Sequence, residues 1–183
     1  LEIKNHRLTS ATWIPSPNFD DRPEGTQPEL IVVHGISLPP KVYGGEGITQ
    51  LFTNRLNPAE HPYYAQIADL KVSSHLLIRR DGEVIQYVDF NQRAWHAGLS
   101  EWRGRERCND FSIGIELEGD DETPYRAEQY LALSAIIRAL QSHYQMPAEA
   151  VAGHCDISPG RKTDPGPYFN WHALQRLERE GNA

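Results

Sequence analysis

Histidine nitrogen and carboxylate oxygen are donors that zinc takes, and a catalytic zinc site uses three protein donors and keeps a fourth position open. This chain offers such donors at distant places. His34 closes the apolar run ELIVVHG, residues 29 to 35, while His154 and Asp164 lie in GHCDISPGRKTDPG, residues 153 to 166. Two imidazoles and one carboxylate make an open three-donor set for one Zn²⁺ per chain. Asp156 is a rival to Asp164. In an extended segment it shares a side with His154, and it could equally hydrogen-bond locally as a turn former. Cys155 would then point away from His154 and reads as a small packed thiol. His61, His75, His96, His143 and His172 default, taken singly, to structural roles.

A second carboxylate stands out for its setting. Glu116 lies inside FSIGIELEG, residues 111 to 119, with Gly114 two positions before it on the same side. A carboxylate on a buried face is costly, and a glycine beside it leaves room for a ligand or a backbone to approach. If that face is solvated instead, Glu116 and Glu118 are ordinary surface charges. The alternation alone allows both.

These groups must be carried together by the elements around them. ELIVVHG is a compact β-branched run that reads as a buried strand ending on His34. Residues 36 to 47, ISLPPKVYGGEG, cannot continue it, because Pro and Gly break both kinds of element, so a long loop leaves the strand end. Residues 14 to 28 are rich in Pro and acidic groups and read as a surface lead-in. Residues 48 to 70 carry patches of helical spacing at Ile48, Leu51, Phe52 and Leu56, broken at Pro58 and Pro62.

SSHLLIRRDGEVIQYVDF, residues 73 to 90, sets two strand-like runs around Asp81-Gly82, a pair suited to a tight hairpin turn. In FSIGIELEG, Phe111, Ile113, Ile115 and Leu117 point one way, and Ser112, Gly114, Glu116 and Glu118 the other. From 126 to 144 the period changes, and Tyr130, Leu133, Ile137, Leu140 and Tyr144 form one apolar helix face. A last helix, about 171 to 180, follows Asn170 as N-cap and buries Trp171, Leu174 and Leu177. The Gly- and Pro-rich segment 153 to 166 should not be helical. The expected fold class is mixed α/β, with a central mixed β-sheet covered by α-helices.

The 183 residues suit one domain, 1 to 183, with its core at about 12 to 180. With 18 basic and 25 acidic residues, the net charge of -7 repels phosphate backbones and argues against nucleic acid as a partner. No run of about eighteen apolar residues exists to span a membrane. The first residues have no apolar core of a secretory signal. Two cysteines, Cys108 and Cys155, are too few for a disulfide framework, which points to a reducing, cytoplasmic setting.

Four segments taken together, IVVHGISLPP, AWHAG, GRERCNDFSIGIELEG and GHCDISPGRKTDPG, resemble the AmpD-type anhydro-N-acetylmuramyl-L-alanine amidases of peptidoglycan recycling. These belong to the wider zinc amidase family that includes T7-type phage lysozyme and the peptidoglycan recognition proteins. The match runs in order from about residue 12 to residue 171. It implies a peptidoglycan-recognition-protein-like fold, with His34, His154 and Asp164 as zinc ligands and Glu116 and Lys162 at the two catalytic positions. In that pattern neither Asp156 nor Cys155 is a ligand. Gly35 is a departure, since the family commonly has Asn there.

The resemblance implies cleavage of the amide between the lactyl group of anhydro-muramic acid and L-alanine, with Glu116 moving the proton and Lys162 steadying the oxyanion. It also implies a cytoplasmic enzyme acting on a small anhydro-muropeptide, and a link to β-lactamase induction where the host has that wiring; a monomer is expected, though the sequence itself does not reveal the oligomeric state. Such a substrate carries peptide carboxylates, which an acidic chain must meet with a local positive patch. WRGRER supplies Arg103, Arg105 and Arg107. The resemblance favours Arg107, with Lys71 assisting, and Trp95 and His96 of AWHAG as contacts to the sugar. A non-catalytic peptidoglycan-binding module is the alternative, and such modules typically lack a ligand that is present here. A thiol hydrolase built on Cys155 and His154 is the third reading.

Overall fold

The computed structural model describes residues 1–181, so the expected end of the domain at residue 183 lies outside the described part. A six-stranded mixed sheet organises these residues. In chain order its strands are β1 (Thr12–Trp13), β2 (Leu30–Ile36), β3 (Leu76–Ile78), β4 (Val84–Gln86), β5 (Ser112–Glu118) and β6 (Val151–Gly153). Their spatial order is β6-β2-β5-β3-β4-β1. The pairs β6-β2, β2-β5, β5-β3 and β4-β1 are parallel, and β3-β4 is antiparallel. The hairpin expected at Asp81-Gly82 joins β3 to β4, with Gly82 at φ 88°.

Alternation along the central strands explains the layers. Ile31, Val33, Ile113, Ile115 and Leu117 face a core shared with α3 (Ala127–Tyr144) and α5 (Trp171–Glu180), which contribute Leu133, Ile136, Ile137, Leu140 and Leu174. Each such side chain taken from water contributes about 1.5–3 kcal/mol before entropy is counted. Helix α5 begins as its sequence suggests, with Asn170 Oδ1 accepting from Ala173 N at 3.0 Å.

The opposite face is also covered, by short elements rather than long helices. Leu77 and Ile85 pack under α1 (Gly47–Phe52) and α2 (Pro62–Ile67) through Ile48, Leu51, Phe52 and Tyr64. Leu30 and Val32 pack with Ala97, Cys108, Phe111, Ala152 and Ile157. The solvated reading of the Glu116 face therefore fails. Glu118, at 2% exposure, is no surface charge. Its Oε1 accepts from Gly44 N at 2.6 Å and its Oε2 from Arg80 N at 3.1 Å. Those bonds pin the 37–46 loop to the end of β5.

Three local expectations need correction. Pro62 does not break a helix but starts α2, where a missing N–H costs nothing, and the His61 ring caps that helix through Tyr63 N at 3.0 Å. Residues 14–28 are not a simple surface lead-in. Ser16, Asn18 and Arg22 are buried, and the Arg22 guanidinium donates to the carbonyls of Phe90, Asn109, Asp110 and Ser112. Segment 153–166 does contain helix: α4 (His154–Ile157) is a single turn, stabilised where Asp156 Oδ2 accepts from Gly153 N at 2.7 Å.

Candidate metal centre and active site

The parallel pairing delivers the site. β2, β5 and β6 run side by side, and their carboxyl ends open onto one cleft, the usual place for a ligand in such sheets. His34 sits in β2, Glu116 in β5, and His154 directly follows β6. Gly153 pairs with Val33, which brings His154 beside His34. Asp164 returns to the same point at the end of the loop after α4, with the Asp164 carbonyl accepting from Cys155 N at 2.9 Å.

His34 Nδ1 and His154 Nδ1 are 3.0 Å apart. Asp164 lies 3.2 Å from His34 Nδ1 and 3.1 Å from His154 Nδ1. All three donor atoms fall within 4.8 Å of one another. Two imidazole nitrogens facing each other at this distance cannot both carry hydrogen. With the carboxylate beside them, they form a donor set that fits a divalent cation. Burial pushes the His34 imidazole below its ordinary range and so favours the neutral, ligating form. Burial works against the Asp164 carboxylate too, but the two imidazoles beside it hold it well below the usual carboxylate range.

Glu116 stands at the edge of this group, its Oε1 3.9 Å from His34 Nδ1. Its Oε2 is buried and has no hydrogen-bond partner among the described residues. Burial, with the negative Asp164 nearby, raises its pKa well above the normal carboxyl value, and Lys162 works in the opposite sense. Lys162 is exposed at the lip, on the loop between α4 and Asp164.

A cleft of about 280 Å³ is lined by all five of these residues together with Trp95 and His96. Its far wall is apolar, made by Ile36, Leu51, Phe52, Tyr63, Leu70 and Val72. Trp95 presents its ring here, with Nε1 donating to Asp20 at 3.1 Å. His96 differs: both its ring nitrogens have protein partners, His34 and Ser112.

The charged residues lie farther out. Arg103 and Arg107 line a separate groove of about 870 Å³, which also takes in Leu99, Ser158 and Arg161 and shares the 156–161 segment that leads to Lys162. Arg107 is exposed, with Asp110 at 3.4 Å. Arg105 turns away to Glu29 and the Phe111 ring. Lys71 is exposed between Leu70 and Val72, which line the metal cleft, but it does not line the cleft itself. Cys155 is half-buried, and burial raises its thiol pKa, the reverse of what a thiolate nucleophile needs. Sequence reasoning missed Asn109, Ser112, Tyr125 and Arg161, which hold the site from behind. No local pattern marks any of them.

Three metal-type donors meet beside the carboxyl ends of parallel strands, with a buried carboxyl group and a lysine at the same cleft, an arrangement that fits a metal-dependent hydrolase. Residues 24–167 match the N-acetylmuramoyl-L-alanine amidase family. The chain belongs to that family. It is 57% identical over 170 residues to the 1,6-anhydro-N-acetylmuramyl-L-alanine amidase AmpD of Escherichia coli K12, covering 93% of both chains. Its fold superposes on the crystal structure of a selenomethionine AmpD derivative with a TM-score of 0.95 and 53% identity, covering 97% of this chain and 99% of the other. It is also similar to the amidase AmiD from E. coli, solved with the substrate anhydro-N-acetylmuramic acid-L-Ala-D-γ-Glu-L-Lys. There the TM-score is 0.61 at 29% identity, covering 85% of this chain and 60% of the other.

Proposed function

We propose that this chain is a zinc-dependent, single-domain amidase that hydrolyses the amide between anhydro-N-acetylmuramic acid and L-alanine in muropeptides. It works as a cytoplasmic monomer in peptidoglycan recycling. One observation carries the reading: the three donors His34, His154 and Asp164 converge in the same cleft as the unpartnered Glu116 carboxyl. Among the described residues no helix is long and apolar enough to cross a membrane. The substrate named for the AmiD complex, and the names of the relatives, support the anhydro-muropeptide as the molecule acted on.

A zinc ion held by these donors would supply Lewis acidity and bring the pKa of water down toward about 7. The rest falls to the chain. Glu116 takes the proton of the attacking water and returns it to the departing L-alanine amine. Burial raises its pKa above the ordinary carboxyl value, which makes it a stronger base for that proton. The Lys162 ammonium faces the same cleft and steadies the charge that grows on the carbonyl oxygen. The apolar wall and Trp95 receive the sugar, while Arg107, with Lys71 assisting, draws the peptide carboxylates.

Mass analysis of products from matched anhydro and reducing-end muropeptides, with and without a chelator, tests this. Free peptide released from the anhydro substrate and suppressed by chelator is the expected result. Release untouched by complete metal removal would overturn it.

A further inference from the structure

Each histidine donor directs its second ring nitrogen at the same two-residue segment. His34 Nε2 lies 2.9 Å from His96 Nδ1, and His154 Nε2 lies 3.0 Å from the Ala97 carbonyl oxygen. A carbonyl only accepts, so His154 carries its hydrogen on Nε2 and leaves a lone pair on Nδ1. For His34 to present its Nδ1 in the same way, its Nε2 must donate and His96 Nδ1 must accept. The hydrogen of His96 then sits on Nε2, where Ser112 Oγ waits at 3.0 Å. One consistent set of tautomers satisfies both nitrogens of His96 and both Nε2 atoms, and leaves the two Nδ1 lone pairs for a cation.

We infer that His96 and Ala97 form a shared brace that fixes the tautomer and ring orientation of both zinc-binding histidines, with His96 and Asn109 as positioning residues. This rests on the zinc reading above and extends it to residues that do not touch the metal.

The segment is built to be rigid. Asn109 Oδ1 accepts from both His96 N, at 3.1 Å, and Ala97 N, at 2.8 Å. Arg161 Nη2 donates to the Ala97 carbonyl at 2.6 Å and to Leu99 O at 2.9 Å. Upstream, the Trp95 carbonyl accepts from Ser73 N at 3.1 Å. The His96 ring packs against β5 at Gly114, where an added Cβ would come within 2.5 Å of its Cγ. That close approach explains a glycine inside an otherwise regular strand. Behind it, Gly114 N donates to His75 Nδ1 at 3.0 Å. His96 therefore has no ring N–H left for a sugar, and the AWHAG motif divides into Trp95 at the cleft and His96-Ala97 behind the ligands. Removing such a partner of a ligand typically lowers metal affinity about 10–100-fold.

The test is Zn²⁺ affinity of the full chain, measured by competition with a chromophoric chelator, in wild type, His96→Asn and His96→Leu. Asparagine puts an oxygen acceptor close to the Nδ1 position, whereas leucine offers none. The expected result is near wild-type affinity for His96→Asn and a loss of about 10–100-fold for His96→Leu. Equal affinity in all three, or equal loss in both variants, overturns the brace while leaving the metal site standing. Failure of wild type to take one zinc overturns the site and the brace together. A measurement without mutation stands beside it, in case His96→Leu does not fold. Two-bond ¹⁵N correlation spectra of the zinc-loaded wild type should place hydrogen on Nε2 of His34, His96 and His154. Hydrogen on Nδ1 of His96 would overturn the inference.

Discussion

Glu116 and His34 are register partners in the parallel pairing of β5 with β2, and Glu116 Oε1 stands 3.9 Å from His34 Nδ1. The same pairing that builds the sheet thus sets the Glu116 carboxyl beside a nitrogen of the donor set, each toward the carboxyl end of a largely buried strand. Because both are strand residues, backbone hydrogen bonds fix where their Cα atoms stand side by side.

From that separation follows a clean division of roles. Glu116→Gln should keep one zinc per chain while turnover falls about 10²–10⁴-fold, the usual contribution of a positioned proton carrier. Since Glu116 Oε2 is buried without a partner, the neutral amide should also unfold at a temperature no lower than wild type. Elemental analysis, product release and a melting curve read the three parts. Wild-type turnover in this variant would remove Glu116 from the mechanism.

Metal content should sort the carboxylates that the sequence left in competition. Zinc should be lost from His34→Ala, His154→Ala and Asp164→Ala but retained by Asp156→Ala. Asp156 instead serves Gly153 N at the start of α4, so its removal should cost about 1 kcal/mol of stability, as for other caps. Full zinc occupancy in the Asp164 variant would break the assignment.

Why these residues were legible, and others not, follows from the kind of order that holds them. His34 announced itself because it ends a β-branched run, and Glu116 because it interrupts an alternating one. Both are one-dimensional patterns. Side-chain parity does not separate Asp156 from Asp164, because it holds for an extended segment and the chain makes the helical turn α4 here. The resemblance to a family, not the spacing, pointed to Asp164. His96 was visible as a histidine but not as a partner of His34, because that contact links residues 62 positions apart. Asn109 acts through two backbone N–H groups on another segment, which leaves no trace in composition or period.

His75 gives the fold a pH dependence of its own. It is fully buried between Gly114 N and the Gln92 carbonyl, and burial, with the Arg22 guanidinium nearby, lowers its pKa from 6.5 to about 3. Between those values the unfolded chain binds a proton that the folded chain refuses. Stability from this group is therefore complete above about pH 6.5 and is lost as pH falls toward 3, at up to about 1.4 kcal/mol per unit. In His75→Asn that component disappears. The gap in unfolding free energy between wild type and variant should narrow by up to about 1.4 kcal/mol from pH 6 to pH 5, as read by urea titration. An unchanged gap would show that His75 is protonated in the folded protein.

At Gly35, where the resemblance leads to an asparagine, the Tyr125 hydroxyl leaves no room for a Cβ. That hydroxyl donates to the Pro165 carbonyl at 2.8 Å, next to Asp164. The two positions should therefore be coupled. Gly35→Ala should destabilise the chain by about 1–3 kcal/mol through overpacking. Tyr125→Phe should cost about 0.5–1.5 kcal/mol for the lost hydrogen bond. In the double variant the clash is gone, since the next atoms, those of Pro165, lie at an ordinary 3.5 Å from the new methyl. Its total cost should fall below the sum of the single costs by about 0.5–3 kcal/mol. Urea unfolding of the four proteins measures this directly. Additivity within about 0.5 kcal/mol would mean that something other than the tyrosine hydroxyl keeps residue 35 a glycine.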